Sequence, residues 1–351
     1  MLKPPHPAAQ VLLRSLAPLK KAVDPVRCHL PRLSALPFSS GGKIEPENPN
    51  LSDRVSIPVQ TQSEDEKQSQ DARDQGLFLA RQERWEDIVA AISKADSTRA
   101  ATGGGLPIAD ILAFGARSDV MHGSEQALEH CTTPDETPLL AGVMALEETR
   151  LSMGCDPVMN AVVALTHVDL GWAWRSEAAI KLAAQTYEKR AQAHFKRAWM
   201  LMRPLQTATV DSPFLLAAYC TAMATQQEAP VKLADAFAQL IEADPLNFRN
   251  MRALGAAMAP SRTGSADALE LEARRTAART QAIWGAGGYT WTYFDALTTE
   301  DQACLSLDVP FFMEGLRDIV ENRPSQETVN LLIAFCAVGL DLREDASAEV
   351  D

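Results

Sequence analysis

Apolar residues recur every three to four positions through most of this chain, from about residue 77 onward. That spacing places them along one side of an α-helix. Alternating runs of Val, Ile, Thr and Tyr, which would predict strands, are absent. The pattern predicts an all-α body of consecutive helices: one ending before residue 103, one beginning at 107, and others over 138–153, 157–175, 177–202, 213–226, 230–242, 247–258, 266–284, 289–297, 310–321 and 325–340.

Two short motifs predict where helices begin. Asp156-Pro157 and Ser212-Pro213 each place a short polar side chain directly before a proline. A polar residue at the N-cap accepts a hydrogen bond from the first turn, and proline suits the first helical position. We therefore expect helices to start at Pro157 and Pro213.

The two ends of the chain differ in composition from its centre. Ten of the 21 prolines lie before residue 60, and residues 60–75 are nearly all Gln, Ser, Glu, Asp and Lys. Such segments bury too little apolar surface to offset the chain entropy. We predict three parts: a disordered tail over 1–75, basic up to residue 43 and acidic after it, a helical repeat-like domain over 76–340, and an acidic tail over 341–351.

The charge and the cysteines narrow the class of protein. The net charge is −13, and the acidity lies outside the first 43 residues, which argues against nucleic acid as the main partner. No run approaches the ~20 apolar residues of a membrane span, so we expect no membrane partner. The six cysteines form no CxxC pair, and free thiols are typical of a reducing compartment. We expect a cytoplasmic protein.

Three glycines repeat one local pattern. Gly171, Gly255 and Gly339 are spaced 84 residues apart, and each follows Leu or Val with apolar or aromatic residues at matching offsets. The pattern resembles the first helix of a tetratricopeptide repeat, in which a small residue lets a neighbouring helix approach closely. The resemblance covers about 160–340, although 84 is not a multiple of the repeat's period. It implies antiparallel helix pairs stacked in a solenoid-like array with a concave binding surface.

The resemblance also implies which residues contact a partner. The slots that line the concave wall of such repeats correspond here to Leu165, Val168 and the four residues Trp172, Arg175, Arg249 and Arg252. An exposed tryptophan beside arginines could hold an apolar side chain and a carboxylate of a peptide. We predict partner contacts at those last four residues. The alternative is that these arginines only pair with neighbouring acidic residues.

A second candidate site lies around a glycine-rich turn. Five of the chain's 21 aromatic residues fall within residues 284–294, which also hold three glycines. Their spacing is not that of a dinucleotide-binding loop. The cluster could form a ligand pocket, or the rings could fill the space between helices. The candidate pocket residues are Trp284, Tyr289, Trp291 and Tyr293.

Motifs that carry catalysis are missing from the sequence. We find no GxSxG, HExxH, P-loop or kinase pattern, and no defensible zinc-ligand spacing. We therefore predict no catalytic residue, no metal site, no cofactor and no enzyme activity. The expected function is a scaffold or adaptor that binds a protein or peptide. A helical enzyme or small-ligand receptor using residues 284–294 is the alternative, and self-association through the helix faces also stays open.

Overall fold

The computed structural model describes residues 62–130, 136–178, 184–207, 211–226, 230–262 and 264–336. Across these residues the chain is all-helical and contains no strand, which confirms the predicted all-α class. None of the described helices is both long enough and apolar enough to cross a membrane. The helices are α1 (Glu64–Arg81), α2 (Trp85–Ser97), α3 (Ile108–His130), α4 (Glu136–Ser152), α5 (Pro157–Ala178), α6 (Ala184–Met202), α7 (Pro213–Ala224), α8 (Pro230–Ala243), α9 (Phe248–Ala257), α10 (Ala266–Trp284), α11 (Gly287–Thr299), α12 (Val309–Asn322) and α13 (Gln326–Ala334).

The first helix begins earlier than the sequence predicts. The Ser63 hydroxyl accepts a hydrogen bond from the Glu66 N–H at 3.1 Å, and the Ser63 N–H donates to the Glu66 carboxylate at 2.8 Å. This reciprocal capping box fixes the start of α1. Ala72 is buried on the same helix, so residues 64–75 belong to the helical body. The predicted tail over 1–75 is therefore wrong at that end, and residues 1–61 lie outside the described part.

The two predicted cap motifs are confirmed. The Asp156 carboxylate accepts hydrogen bonds from the N–H groups of Val158 and Met159, at 2.8 and 3.1 Å. The Ser212 hydroxyl accepts from the N–H of Leu215 at 3.1 Å. Each cap satisfies amide groups that the first turn of a helix leaves without an internal partner.

Helices that are close in the chain are also neighbours in space. Consecutive helices such as α2 and α3, α5 and α6, and α10 and α11 pack together. Helices two places apart also pack: α1 with α3, α3 with α5, α5 with α7, α9 with α11, and α10 with α12. A large shared core runs through most of them, with smaller clusters beside α3–α6.

Two of the three repeated glycines lie at helix–helix contacts. Gly171 on α5 faces the ring of Phe195 on α6, and a Cβ atom there would overlap that ring. Gly255 on α9 lies against the backbone carbonyl of Thr292 on α11, where a Cβ atom would collide with the backbone itself. Gly339 is outside the described residues. The glycine at 255 thus permits the close approach of helices that the pattern predicts.

A loop joins the early helices to the middle of the chain. Between α2 and α3, Arg99 donates to the Asp211 carboxylate at 2.7 Å and to the carbonyl of Ala243 at 3.4 Å. The Asp96 carboxylate accepts from the N–H of Phe214 at 2.8 Å, at the start of α7. These contacts hold the end of α2 against α7 and α8.

Candidate functional site

A surface groove runs between α1, α3 and α5, and we call it the α1–α3–α5 groove. Its volume is about 640 Å³. Two large aromatic side chains line it and stay partly open to solvent: Phe114 is 43% exposed and Trp172 is 36% exposed. Large exposed aromatic side chains are uncommon on protein surfaces and often mark contact sites.

Guanidinium groups lie over both exposed rings. The guanidinium carbons of Arg73 and Arg117 lie 5.2 and 5.3 Å from the centre of the Phe114 ring. Those of Arg175 and Arg262 lie 5.1 and 5.4 Å from the centre of the Trp172 ring. These distances are within the range of cation–π attraction. Each ring therefore lies within cation–π distance of two arginines.

Two of these four arginines have no acidic partner in the described part of the chain. Arg117 donates to Asp169 at 2.7 Å, and Arg175 donates to Glu188 at 2.6 and 3.1 Å. Arg73 and Arg262 are exposed and form no ion pair with any described residue. The charges of Arg73 and Arg262 remain available to a carboxylate from outside.

The wall of the groove also holds an acid–base pair and an exposed carboxylate, Glu125, which forms no ion pair with a described residue. Arg81 binds the Asp119 carboxylate through two hydrogen bonds of 2.7 and 2.9 Å. The hydrogen bond from Arg81 holds the pKa of Asp119 below its ordinary value, so the pair stays charged at neutral pH. Arg81 and Asp119 therefore add shape and polarity to the wall but little net charge.

Of the two predicted contacts on α5, Trp172 lines this groove and Arg175 does not. Arg175 lies over the Trp172 ring and is bound to Glu188. For Arg175 the structure thus shows the alternative interpretation, in which the arginine pairs with a neighbouring acid. Its guanidinium carbon also lies 4.8 Å from the centre of the Phe195 ring.

The predicted contacts on α9 lie apart from this groove. Arg252 binds Asp295 on α11, with a shortest N–O distance of 2.7 Å, and lies 4.8 Å from the centre of the Phe294 ring. Arg249 is exposed and has no ion pair among the described residues. Partial desolvation of its guanidinium group lowers the pKa of Arg249, helped by the charge of Arg252. Arg252 therefore holds two helices together, whereas Arg249 remains free.

The aromatic cluster after α10 lies inside the fold. Trp284, Tyr289, Trp291 and Tyr293 are all buried. The Trp284 indole donates to the carbonyl of Pro245 at 2.8 Å, and the Trp291 ring stacks on Phe248 with ring centres 4.3 Å apart. The four candidate pocket residues thus present no surface to a ligand, which favours the packing interpretation over the pocket.

A buried polar network between α4, α5 and α6 was not predicted from the sequence. The Glu147 carboxylate accepts from Arg197 at 2.6 and 2.8 Å and from Arg150 at 2.8 Å. His167 is 3.3 Å from the same carboxylate and 2.9 Å from His194. Burial alone would raise the pKa of Glu147, but the hydrogen bonds from its three partners hold that pKa well below its ordinary range. Glu147 is therefore ionised and neutralised inside the protein.

The sequence contained a partial signal for the groove. Phe114 and Arg117 are three residues apart on α3, so they share one face of that helix. Arg73 and Arg262 carry no such local signal, because each meets its ring only through tertiary packing.

The described residues show no metal site, since no group of three His, Cys, Asp or Glu side chains converges closely enough to hold an ion. Comparisons with protein-family models, with curated proteins and with solved structures find no match to this chain. The chemistry of the groove is accordingly inferred from its own residues.

Proposed function

We propose that this protein is a binding module, not an enzyme, and that the α1–α3–α5 groove holds a segment of a partner protein. The observation that carries the proposal is that Phe114 and Trp172 line the same groove and are both partly exposed. Aromatic side chains in a recess are the residues that dominate binding energy at protein interfaces. Burying them beneath a partner removes apolar surface from water, which is favourable by about 25 cal/mol per Å².

The two arginines without an ion pair among the described residues indicate the chemistry of the partner. Arg73 flanks Phe114 and Arg262 flanks Trp172, each without an acidic neighbour among the described residues. A carboxylate that approaches the rings would therefore meet a guanidinium group that it can bind through two hydrogen bonds. The partner we propose is a peptide segment in which an apolar or aromatic residue lies next to Asp or Glu.

The arrangement of helices supports a repeat-like array. The groove is built from alternate helices, α1, α3 and α5, and each of them packs on the next in that series. In stacked helix pairs the first helices of successive pairs line one continuous wall. We propose on this basis a tetratricopeptide-like array that acts as a scaffold in the cytoplasm, with protein and not nucleic acid as its partner because the net charge is −13.

A random-peptide display selection on the full chain tests the proposal. We expect enriched peptides to combine an apolar or aromatic residue with a neighbouring acidic residue. Synthetic versions of those peptides should bind at least tenfold more weakly to a Phe114→Ala/Trp172→Ala double variant, measured by isothermal titration calorimetry. Arg73→Gln and Arg262→Gln should weaken the binding of acidic peptides. They should have less effect on peptides in which Asn or Gln replaces the acidic residue.

A matched control separates this site from general exposed apolar surface. Leu271 on α10 is 50% exposed and lies away from the groove, so Leu271→Ala should leave binding unchanged. Circular dichroism should show that all variants keep their helix content. Selection that enriches no peptide, or peptides that bind the double variant as tightly as the wild type, would contradict the proposed function.

A further inference from the structure

A second and separate cavity lies where the loop before α3 meets α7 and the start of α9. Its volume is about 250 Å³. It shares no lining residue with the α1–α3–α5 groove. Polar side chains dominate its chemistry: Asp96, Arg99, Asp110, Asp244, Asn250 and Arg323.

Asp110 is the unusual member of this lining. It is exposed and lines the cavity, although the surrounding protein desolvates its carboxylate. No ion pair or hydrogen bond to its carboxylate is formed within the described residues. Burial raises the pKa of Asp110 to about 6, against the opposing attraction of Arg117 and Arg249. The charges of Arg117 and Arg249 therefore act on the carboxylate, but no described residue forms an ion pair or hydrogen bond with it.

The other two acids of the cavity are partly satisfied. Asp96 accepts the N–H of Phe214 at 2.8 Å. Burial raises the pKa of Asp244, but Arg99 and a hydrogen bond from Asn247 oppose that rise. Asp110 alone among the three has no hydrogen-bond donor near it in the described part of the chain.

Two donors in the same cavity are also unused. Asn250 is 7% exposed and lines the cavity, and its side-chain nitrogen has no hydrogen-bond partner among the described residues. A buried amide without a partner is rare and costs about 1–3 kcal/mol. Arg323 also lines the cavity and lies 5.6 Å from the Trp284 ring, with no ion pair to any residue that the structure describes. By contrast, Arg99 is already bound to Asp211 and to two backbone carbonyls.

We propose that this cavity binds a free α-amino acid, with the ammonium group on Asp110 and the carboxylate on Arg323 and the Asn250 amide. A zwitterion matches the groups without partners. Its cation would face the Asp110 carboxylate, and its anion would face the donors of Asn250 and Arg323. A bare metal ion fits less well, because no three ligand side chains of the described residues converge on one point. The volume of the cavity suits a free amino acid. Pockets for drug-sized ligands begin at roughly 300 Å³, and this cavity is slightly smaller, as a smaller ligand requires.

Thermal unfolding of the full chain with each of the twenty free L-amino acids tests the inference. At least one should raise Tm in a concentration-dependent way, as a ligand of the native state must, and calorimetry should then give its Kd. Asp110→Asn should abolish the shift, and Arg323→Gln should weaken binding at least tenfold. The methyl ester of the same amino acid, which lacks the carboxylate, should also bind at least tenfold more weakly.

The controls keep each outcome interpretable. Asp110→Asn should fold, because a neutral amide is less costly than an unpaired carboxylate at that depth. Asp87→Asn removes an exposed acid paired with Arg84 at 2.6 Å and should leave the shift intact. The assignment is overturned if no amino acid shifts Tm, if Asp110→Asn retains the shift, or if the methyl ester binds as tightly. None of these readouts depends on peptide binding in the groove.

Discussion

The Nδ1 atoms of His167 and His194 lie 2.9 Å apart and join α5 to α6 inside the protein. A carboxylate only accepts hydrogen bonds, so the His167 nitrogen that faces Glu147, Nε2, carries a hydrogen. Only one of the two facing Nδ1 atoms can carry the shared hydrogen, so one imidazole ring donates to the other.

This pair makes stability depend on pH. Burial lowers the pKa of His194 to about 4, with help from the neighbouring His167, against an ordinary value of 6.5. Between these values the unfolded chain binds more protons than the folded one, so the free energy of unfolding falls as pH drops from about 6.5 to about 4. At ~1.4 kcal/mol per pKa unit the loss is about 3 kcal/mol. Asp110, whose pKa is raised to about 6, acts in the opposite direction between about pH 6 and 4, so urea unfolding at a series of pH values must compare the wild type with a variant at His194.

A single substitution isolates the contribution of His194. Asparagine offers His167 both a hydrogen-bond donor and an acceptor but does not titrate. The free energy of unfolding of His194→Asn should therefore lack the fall of about 3 kcal/mol that His194 contributes between about pH 6.5 and 4. Below that range both proteins should still lose stability in acid, because the lowered pKa of Glu147 makes its protonation unfavourable in the folded state. An unchanged slope in the variant would show that another group causes the effect.

Two glycines on helices should respond to alanine in opposite directions. At Gly255 a Cβ atom would collide with the Thr292 carbonyl, which is backbone and has little freedom to move. Gly255→Ala should therefore destabilise by about 1–3 kcal/mol, as overpacking does. Gly123 on α3 has no neighbouring atom within 4 Å of the point where a Cβ atom would lie. Gly123→Ala should stabilise by about 0.5–1 kcal/mol through helix propensity.

Chemical denaturation of both variants provides the measurement. Each m-value should stay close to that of the wild type if only the native contact changes. Equal effects at Gly255 and Gly123 would mean that helix propensity, and not the contact with α11, decides both.

The helices were predictable from the sequence because caps and apolar spacing depend on residues only a few positions apart. The Ser212 cap, for example, uses an atom three positions away. The start of α1 was missed since residues 64–75 are strongly polar, and composition outweighed the Ser63–Glu66 capping box. That box is itself a recognisable motif, so the boundary could have been predicted from the sequence.

The site was less predictable because it depends on tertiary partners. Trp172 was identified through the repeat pattern, and it does line a groove. Nothing local indicated that Arg252 would meet Asp295, 43 residues away, or that Arg262 would cover Trp172. Which arginine is neutralised and which stays available is decided by packing between helices that are distant in sequence.

The two tyrosines of α11 share one carboxylate but should not contribute equally. Tyr289 and Tyr293 donate to the same oxygen of Glu270, at 2.5 and 2.8 Å, and Tyr289 also accepts from the N–H of Asp308 at 2.8 Å. Tyr289→Phe loses both bonds and should cost about 2–3 kcal/mol, whereas Tyr293→Phe loses one and should cost about 1–2 kcal/mol. Thermal unfolding compares them. A larger loss at Tyr293 would contradict the role of the Asp308 amide.

Arg249 and Arg252 lie on one helix and give a direct contrast between a free and a paired arginine. Arg252→Gln breaks the contact with Asp295 and should destabilise by about 1 kcal/mol, the upper range for a pair that is partly exposed. Arg249→Gln removes no ion pair to a described residue, so stability should stay within about 0.5 kcal/mol of the wild type. Asp295→Asn should reproduce the loss of Arg252→Gln, and the double variant should lose no more than either alone. Additive losses would show that the two side chains stabilise the protein independently, and Arg252 would again be a candidate for partner binding.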